Sequence, residues 1–120
     1  MNLFTRLNIL YQFVHWRLTW DKRNTHYRFT VPGNEKFMGP RDAVKLIKDG
    51  SVVGFSGLAA NHRSSIIYWS MRELHAETGH PRNLTAVALG GIGGRGKVPG
   101  TLEEIGQDGL TTRMITGHTE

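Results

Sequence analysis

Apolar positions set the first divisions of the chain. In MNLFTRLNILYQFVHWRLTW, Leu3, Leu7, Leu10, Tyr11, Val14 and Leu18 recur at three- and four-residue intervals, while Arg6, Arg17 and several amides fall elsewhere. That spacing predicts an amphipathic helix. The period is lost through DKRNTHYRFTVPGNEKF and returns after Met38-Gly39-Pro40. Pro40 suits the first turn of a helix carrying Ala43, Val44, Leu46 and Ile47, with Asp49-Gly50 as its stop. SVVGFSG reads as a short buried strand. Ser64 or Ser65 can cap the next helix, which runs through Ile66, Ile67, Met71 and Leu74 and is ended by Gly79 and Pro81. NLTAVAL and TRMITGH read as two further strands. Strands separated by helical segments predict an α/β fold: a partial Rossmann-like parallel sheet with flanking helices, in three layers or part of three. The expected division is an amphipathic extension over residues 1–37 and an α/β domain over residues 38–120.

Length and charge narrow the functional classes. The 120 residues suit one small domain, marginal for a large substrate cleft. Cysteine is absent, which excludes a disulfide framework, thiolate zinc ligands and a cysteine nucleophile. The net charge of +5 is unevenly spread: residues 1–37 hold six Lys and Arg against two acids, and residues 38–120 hold nine against eight. The basicity therefore belongs to the extension, and the nearly balanced remainder argues against nucleic-acid binding. The extension lacks a run apolar enough to span a membrane. Its arginines, with no acid before Asp21, also suit a mitochondrial transit peptide.

The stretch VALGGIGGRGKVPG contains G-x-G-x-x-G at Gly91, Gly93 and Gly96 directly after a predicted strand. A dinucleotide fingerprint needs that turn to enter a helix at once, with an acid after the next strand to meet a ribose. Lys97-Val98-Pro99-Gly100 delays any helix until about Thr101, and Glu120 is the only acid after the third strand. NAD is therefore disfavoured. Two glycine-bearing loops, FSGLAANHRSS and GGIGGRGKVPG, nevertheless leave neighbouring strands at their carboxyl ends, where α/β sheets bind ligands. Small residues there expose backbone N–H groups, and the start of the helix after Ser64 adds positive character suited to an anion. The same glycines could equally serve only as tight turns.

Residues 40 to 118 resemble the amino-terminal part of family I CoA transferases, of the acetate, propionate and 3-oxoacid type. The resemblance runs through DAVKLIKDGSVV (42–53), SGLAAN (56–61), ETGHPRNLT (77–85), GGIGGRG (90–96) and DGLTTRMITGH (108–118). The family's first glycine motif commonly ends in Phe with Pro six residues on; Leu58 and Ser64 stand there in this chain. The order and spacing of five segments is more specific than any one glycine match.

The resemblance implies exchange of CoA between an acyl-CoA and a small carboxylic acid, in short-chain fatty acid metabolism, through a glutamyl-CoA intermediate. It assigns contacts to CoA to Ser56, Gly57, Leu58, Ala59 and Asn61 in the first loop, and to Gly91, Gly93, Gly94, Arg95 and Gly96 in the second. Arg63 and Lys97 are further cations beside these loops. CoA and acyl-CoA are then substrates, with no permanently bound cofactor. The family's nucleophilic glutamate lies in its carboxyl-terminal half, so the resemblance places it outside these residues. Glu77-Thr78-Gly79 imitates its Glu-x-Gly context, but Glu77 falls in the last turn of a predicted helix and reads as structural. Glu103 and Glu104 could order the second loop. His62 and His118 could line the ligand edge; the other histidines lack metal-ligand spacing, and no metal is expected. The serines lack a G-x-S-x-G elbow. The chain alone is expected to be inactive, completed by the remainder of the transferase or a complementary chain, and a homo-oligomer is compatible with this. The alternative is a non-catalytic α/β remnant or binding module. The expected location is the cytoplasm, with the mitochondrial matrix as alternative.

Overall fold

A computed structural model describes residues 2–19, 24–28, 30–56, 64–88 and 99–117. The order of elements is α1 (Leu3–Thr19), α2 (Pro40–Lys45), β1 (Val52–Phe55), α3 (Ser65–Thr78), β2 (Leu84–Ala88), a 3₁₀ helix (Leu102–Ile105) and β3 (Thr111–Thr116). The three strands form one sheet in the order β1-β2-β3, and both pairings are parallel. The expected parallel α/β sheet with flanking helices is present.

Helices cover one face of that sheet. The strand pleat sends Leu84, Ala86 and Ala88 of β2 to the covered side, where they meet Val44 of α2, Tyr68, Met71 and Leu74 of α3, and Leu102 and Ile105 of the 3₁₀ helix. Tyr68 is fully buried, its ring edge-on to Phe55 with centroids 5.2 Å apart. The sequence pattern ran α3 through Ile66, Ile67, Met71 and Leu74; Met71 and Leu74 are buried, Ile66 and Ile67 are only half-buried, and Tyr68 takes the central place. The parallel register puts Val52, Gly54, Thr85, Val87, Arg113 and Ile115 on the opposite face. Val52 is 70% exposed there, which corrects the expectation that β1 is buried.

Helix boundaries follow local chemistry. Pro40 opens α2, whose fixed φ and missing N–H cost nothing in a first turn. The helix stops at Lys45, shorter than the pattern suggested, and leaves Leu46 exposed. Gly79 ends α3 in the left-handed conformation (φ 73°), its N–H bonded to His75 O. At the strands' amino-terminal edge, Asn83 N and Leu84 N bond to Gly109 O and Leu110 O, and Gly50 N bonds to Arg82 O. These bonds tie the entry points of the three strands to one another.

The predicted amphipathic helix forms as α1. Its apolar residues, Phe4 included, are exposed, and no residue of α1 is buried. The segment that follows behaves differently. Thr25 is 1% exposed and its hydroxyl donates to Glu73 of α3, while His26 Nε2 lies 3.2 Å from Arg41 Nη1. Contacts therefore cross the boundary drawn after residue 37.

Candidate functional site

The carboxyl ends of β1 and β2 lie side by side, with Phe55 registered against Ala88 and Ala88 against Thr116 of β3. Both predicted ligand loops leave from this edge. Ser56, the residue after β1, is exposed there. Gly57, Leu58, Ala59, Asn61, Gly91, Gly93, Gly94, Arg95 and Gly96 lie outside the described residues, as do His62, Arg63, Lys97 and His118.

What the structure brings together is the far end of each loop. The first is followed by Ser64 and α3, the second by Pro99 and Gly100. Ser65 Oγ donates to Gly100 O at 2.7 Å. Ser64 occupies the N-cap position but makes no side-chain cap bond, so neither serine caps the helix as the sequence suggested. The loops thus start from hydrogen-bonded strands and finish at residues joined by a hydrogen bond.

Glu104 fastens this junction. Its Oε1 accepts from Gly100 N at 2.9 Å and Trp69 Nε1 at 3.0 Å, and its Oε2 accepts from Arg72 Nη1. The carboxylate side chain is only 11% exposed, and these charge-assisted bonds compensate the loss of water around it. Gly100 is itself buried with φ 75°. A Cβ there would stand 2.8 Å from Ser65 Cβ and Oγ, so the position needs glycine for both conformation and space.

Glu104 was read from the sequence as able to order the second loop, and it holds the backbone at that loop's exit. Gly100 was read only as an interruption of the fingerprint. Trp69 and Arg72, one helical turn apart, were not singled out; an aromatic N–H donor and a cation at that spacing, facing an acid pair, were the available signal. The 3₁₀ helix follows Thr101, whose Oγ1 accepts from Glu103 N at 3.3 Å to cap it.

Glu77 sits at the other end of α3. Twelve residues of helix separate it from Ser65, or about 18 Å at the usual rise. Arg41 binds both of its carboxylate oxygens, and the hydrogen bond from that guanidinium is the main reason its carboxyl is held below the ordinary glutamate value. The Arg41 side chain is itself 10% exposed and also approaches Glu73 Oε2 at 3.6 Å. Nearby, Asp49 accepts from Arg82 N and Nε, each at 3.1 Å, and its Oδ2 lies 2.9 Å from His80 Nδ1. Chiefly through His80, with smaller help from Arg82, the Asp49 carboxyl is also lowered. These charged groups lie beside the strands' entry points, away from the ligand edge.

His75 is equally occupied, with Nδ1 2.8 Å from Pro81 O and Nε2 3.2 Å from Asp108 O. Among the described residues no three His, Asp or Glu side chains are grouped as a metal ion needs. No helix among them is long and apolar enough to cross a membrane.

The three-stranded parallel sheet with its flanking helices matches part of solved acyl-CoA transferase structures. Two crystal structures of the acyl-CoA transferase YdiF from Escherichia coli O157:H7, a thioester complex with CoA and the apoenzyme, each match with a TM-score of 0.60 at 22% identity. Each match covers 66% of this chain, and 16% and 15% of the respective YdiF chains. No family model matches the chain. The caffeate CoA-transferase of Acetobacterium woodii is 34% identical over 86 residues, 69% of this chain. Part of the chain is therefore family I CoA-transferase sequence. The chain spans 16% of the length of that curated relative.

Proposed function

We propose that these residues form part of a CoA transferase that moves CoA between an acyl-CoA and a small carboxylic acid, with the two glycine loops at the acyl-CoA site. The observation that carries this reading is the convergence of the loops: they leave from registered residues, Phe55 and Ala88, and end at the hydrogen-bonded pair Ser65 and Gly100. Two loops fixed at both ends can present backbone N–H groups to one ligand, and the positive end of α3 favours an anion beside them. The transferase-like part begins near residue 38, Thr25 and His26 pack against it from upstream, and the transferase works in the cytoplasm.

In the proposed reaction a glutamate carboxylate attacks the thioester carbonyl, expelling CoA thiolate and leaving an acyl-glutamyl anhydride. The thiolate attacks the glutamyl carbonyl and releases the acid, and the resulting glutamyl-CoA thioester is reversed by the acceptor carboxylate. No oxidant or metal is needed for balance. The described part of the chain supplies scaffold to this sequence. Glu77 is not the nucleophile: it is bound by Arg41 at the edge opposite the loops.

Calorimetric titration tests the reading. CoA should bind saturably to the full-length transferase containing these residues and more weakly to the 120-residue chain, and Gly93→Val should abolish that binding. The chain alone should not exchange CoA between acyl-CoA and acetate, and Glu77→Gln in the full-length protein should leave turnover unchanged. Saturable binding of NAD without CoA, or transfer by the isolated chain that Glu77→Ala abolishes, overturns it.

A further inference from the structure

We propose that α1 docks on α1 of a second copy of the chain, the two helices running parallel, and that two such pairs join into a tetramer. Every residue of α1 from Leu3 to Leu18 is exposed, so nothing among the described residues covers it. At about 100° per residue, α1 divides lengthwise into four strips. Leu3, Leu7, Leu10, Tyr11, Val14 and Leu18, with Phe4 at the margin, form a broad apolar strip. Ile9, Phe13 and Trp16 form a narrower one about 150° round the helix, made continuous by the Phe13 and Trp16 rings with centroids 6.1 Å apart. Arg6 and Arg17 separate the strips on one flank, and Thr5, Asn8, Gln12, His15 and Thr19 separate them on the other. A flat surface would cover one strip and leave the other in water. A helix apolar on two sides belongs between two neighbours.

A seven-residue repeat identifies the neighbours. With Leu7 and Val14 at position a and Leu3 and Leu10 at d, every b and f position from Thr5 to Thr19 is polar. Apolar residues alternately three and four apart make the seam of paired helices. Arginine decides the direction. An antiparallel pair sets Arg6 of one copy near Arg17 of the other on the same flank, whereas a parallel pair turns the arginine flank of each helix toward the Asn8 and His15 flank of its neighbour. Arg6 at g then also faces Tyr11 at e of the second copy. The open face of the sheet is a poor alternative, because Arg113 stands among its apolar residues and α1 carries no carboxylate. Two helices in contact over about 25 Å bury roughly 1,000 Å², at the low end for specific interfaces. The pair is therefore weak by itself. Ile9 and Trp16, at c outside the seam, give each pair a second apolar side on which to meet another pair.

Sedimentation velocity of the full 120-residue chain over a range of concentrations tests this. Monomer should give way to dimer and then to tetramer, with a first dissociation constant on the order of 50 µM. Leu7→Glu with Leu10→Glu keeps helix propensity and should raise that constant about 100-fold. Ile9→Gln with Trp16→Gln should leave the dimer and remove the tetramer. The urea midpoint of the core should be the same in all these variants, since α1 buries nothing against it. Because the chain has no cysteine, Leu3→Cys reads the direction of pairing. The introduced thiols share one level in a parallel pair and stand about 24 Å apart in an antiparallel one. Oxidised glutathione should join them, while Gln12→Cys, on the outer flank, should stay unjoined. A monomer at every concentration, or association that Leu7→Glu with Leu10→Glu leaves intact, overturns the proposal. So does an oligomer that Leu3→Cys fails to cross-link, or one that Val52→Asp on the open face of the sheet disperses.

Discussion

Replacing Gly100 by alanine should destabilise the fold well beyond the ordinary cost of filling a glycine position. An L-residue at φ 75° costs about 1 kcal/mol. The new Cβ would also stand 2.8 Å from Ser65 Cβ and Oγ and 3.0 Å from Trp69 Cζ2. Neither neighbour yields freely: Ser65 is in the first turn of α3, and the Trp69 ring is held through its N–H by Glu104. Relieving the overlap means moving Gly100 away, which weakens its bonds to Ser65 and Glu104 and adds about 2 kcal/mol. The expected loss is about 3 kcal/mol. Gly79→Ala is the matched control, with φ 73° and no atom within 4 Å of the added Cβ, so it should lose only about 1 kcal/mol. Urea titration of both variants, followed by far-UV circular dichroism and tryptophan fluorescence, reads the difference at unchanged m. In heating experiments the gap should be roughly 10 °C. Equal losses in the two variants would refute the reasoning, because Gly100 would then have room to move and the loop exit would not be held at α3.

Glu104→Leu leaves the N–H groups of Gly100 and Trp69 and the Arg72 guanidinium without their acceptor and should cost about 3 kcal/mol in the same titration, with Glu104→Gln intermediate; a neutral result for Glu104→Leu removes the fastening role. Acid should destabilise the protein through Glu77 and Asp49, whose folded pKa values are lowered. The unfolded chain then binds more protons than the native one, so their contribution is complete above the ordinary carboxylate range and is lost as pH falls through the lowered folded values. Glu77→Gln should flatten the fall in urea midpoint below the ordinary glutamate value, and an unchanged slope counts against the Arg41 pairing. Deleting residues 1–19 should leave stability unchanged within about 0.5 kcal/mol. Deleting residues 1–37 also removes the buried Thr25 hydroxyl bond to Glu73 and should cost about 2 kcal/mol, measured as a shift in cooperative unfolding.

Elements with strong local signals were legible in the sequence. Pro40 at a helix start, Gly79 at a helix end and the apolar run Leu84 to Ala88 each carry a conformational preference that needs no distant partner. Burial was harder to read. Val52 has the strand preference of a core residue, yet its side chain points to the uncovered face, and alternation in a four-residue strand gives little indication of which face is roofed. Thr25 lies in a segment without period and is buried because Glu73, 48 positions later, accepts its hydroxyl. The same long separation hid the junction at Ser65 and Gly100, where the pairing spans 35 residues. The loop glycines could be proposed as contacts only through order and spacing across several segments, since a single glycine motif is compatible with an ordinary turn.

The shared junction also couples the far ends of the two segments that leave β1 and β2. Ser65, Gly100, Trp69, Arg72 and Glu104 are tied into one assembly on α3. A displacement of α3 therefore carries the landing points of both loops together and changes neither relative to the other.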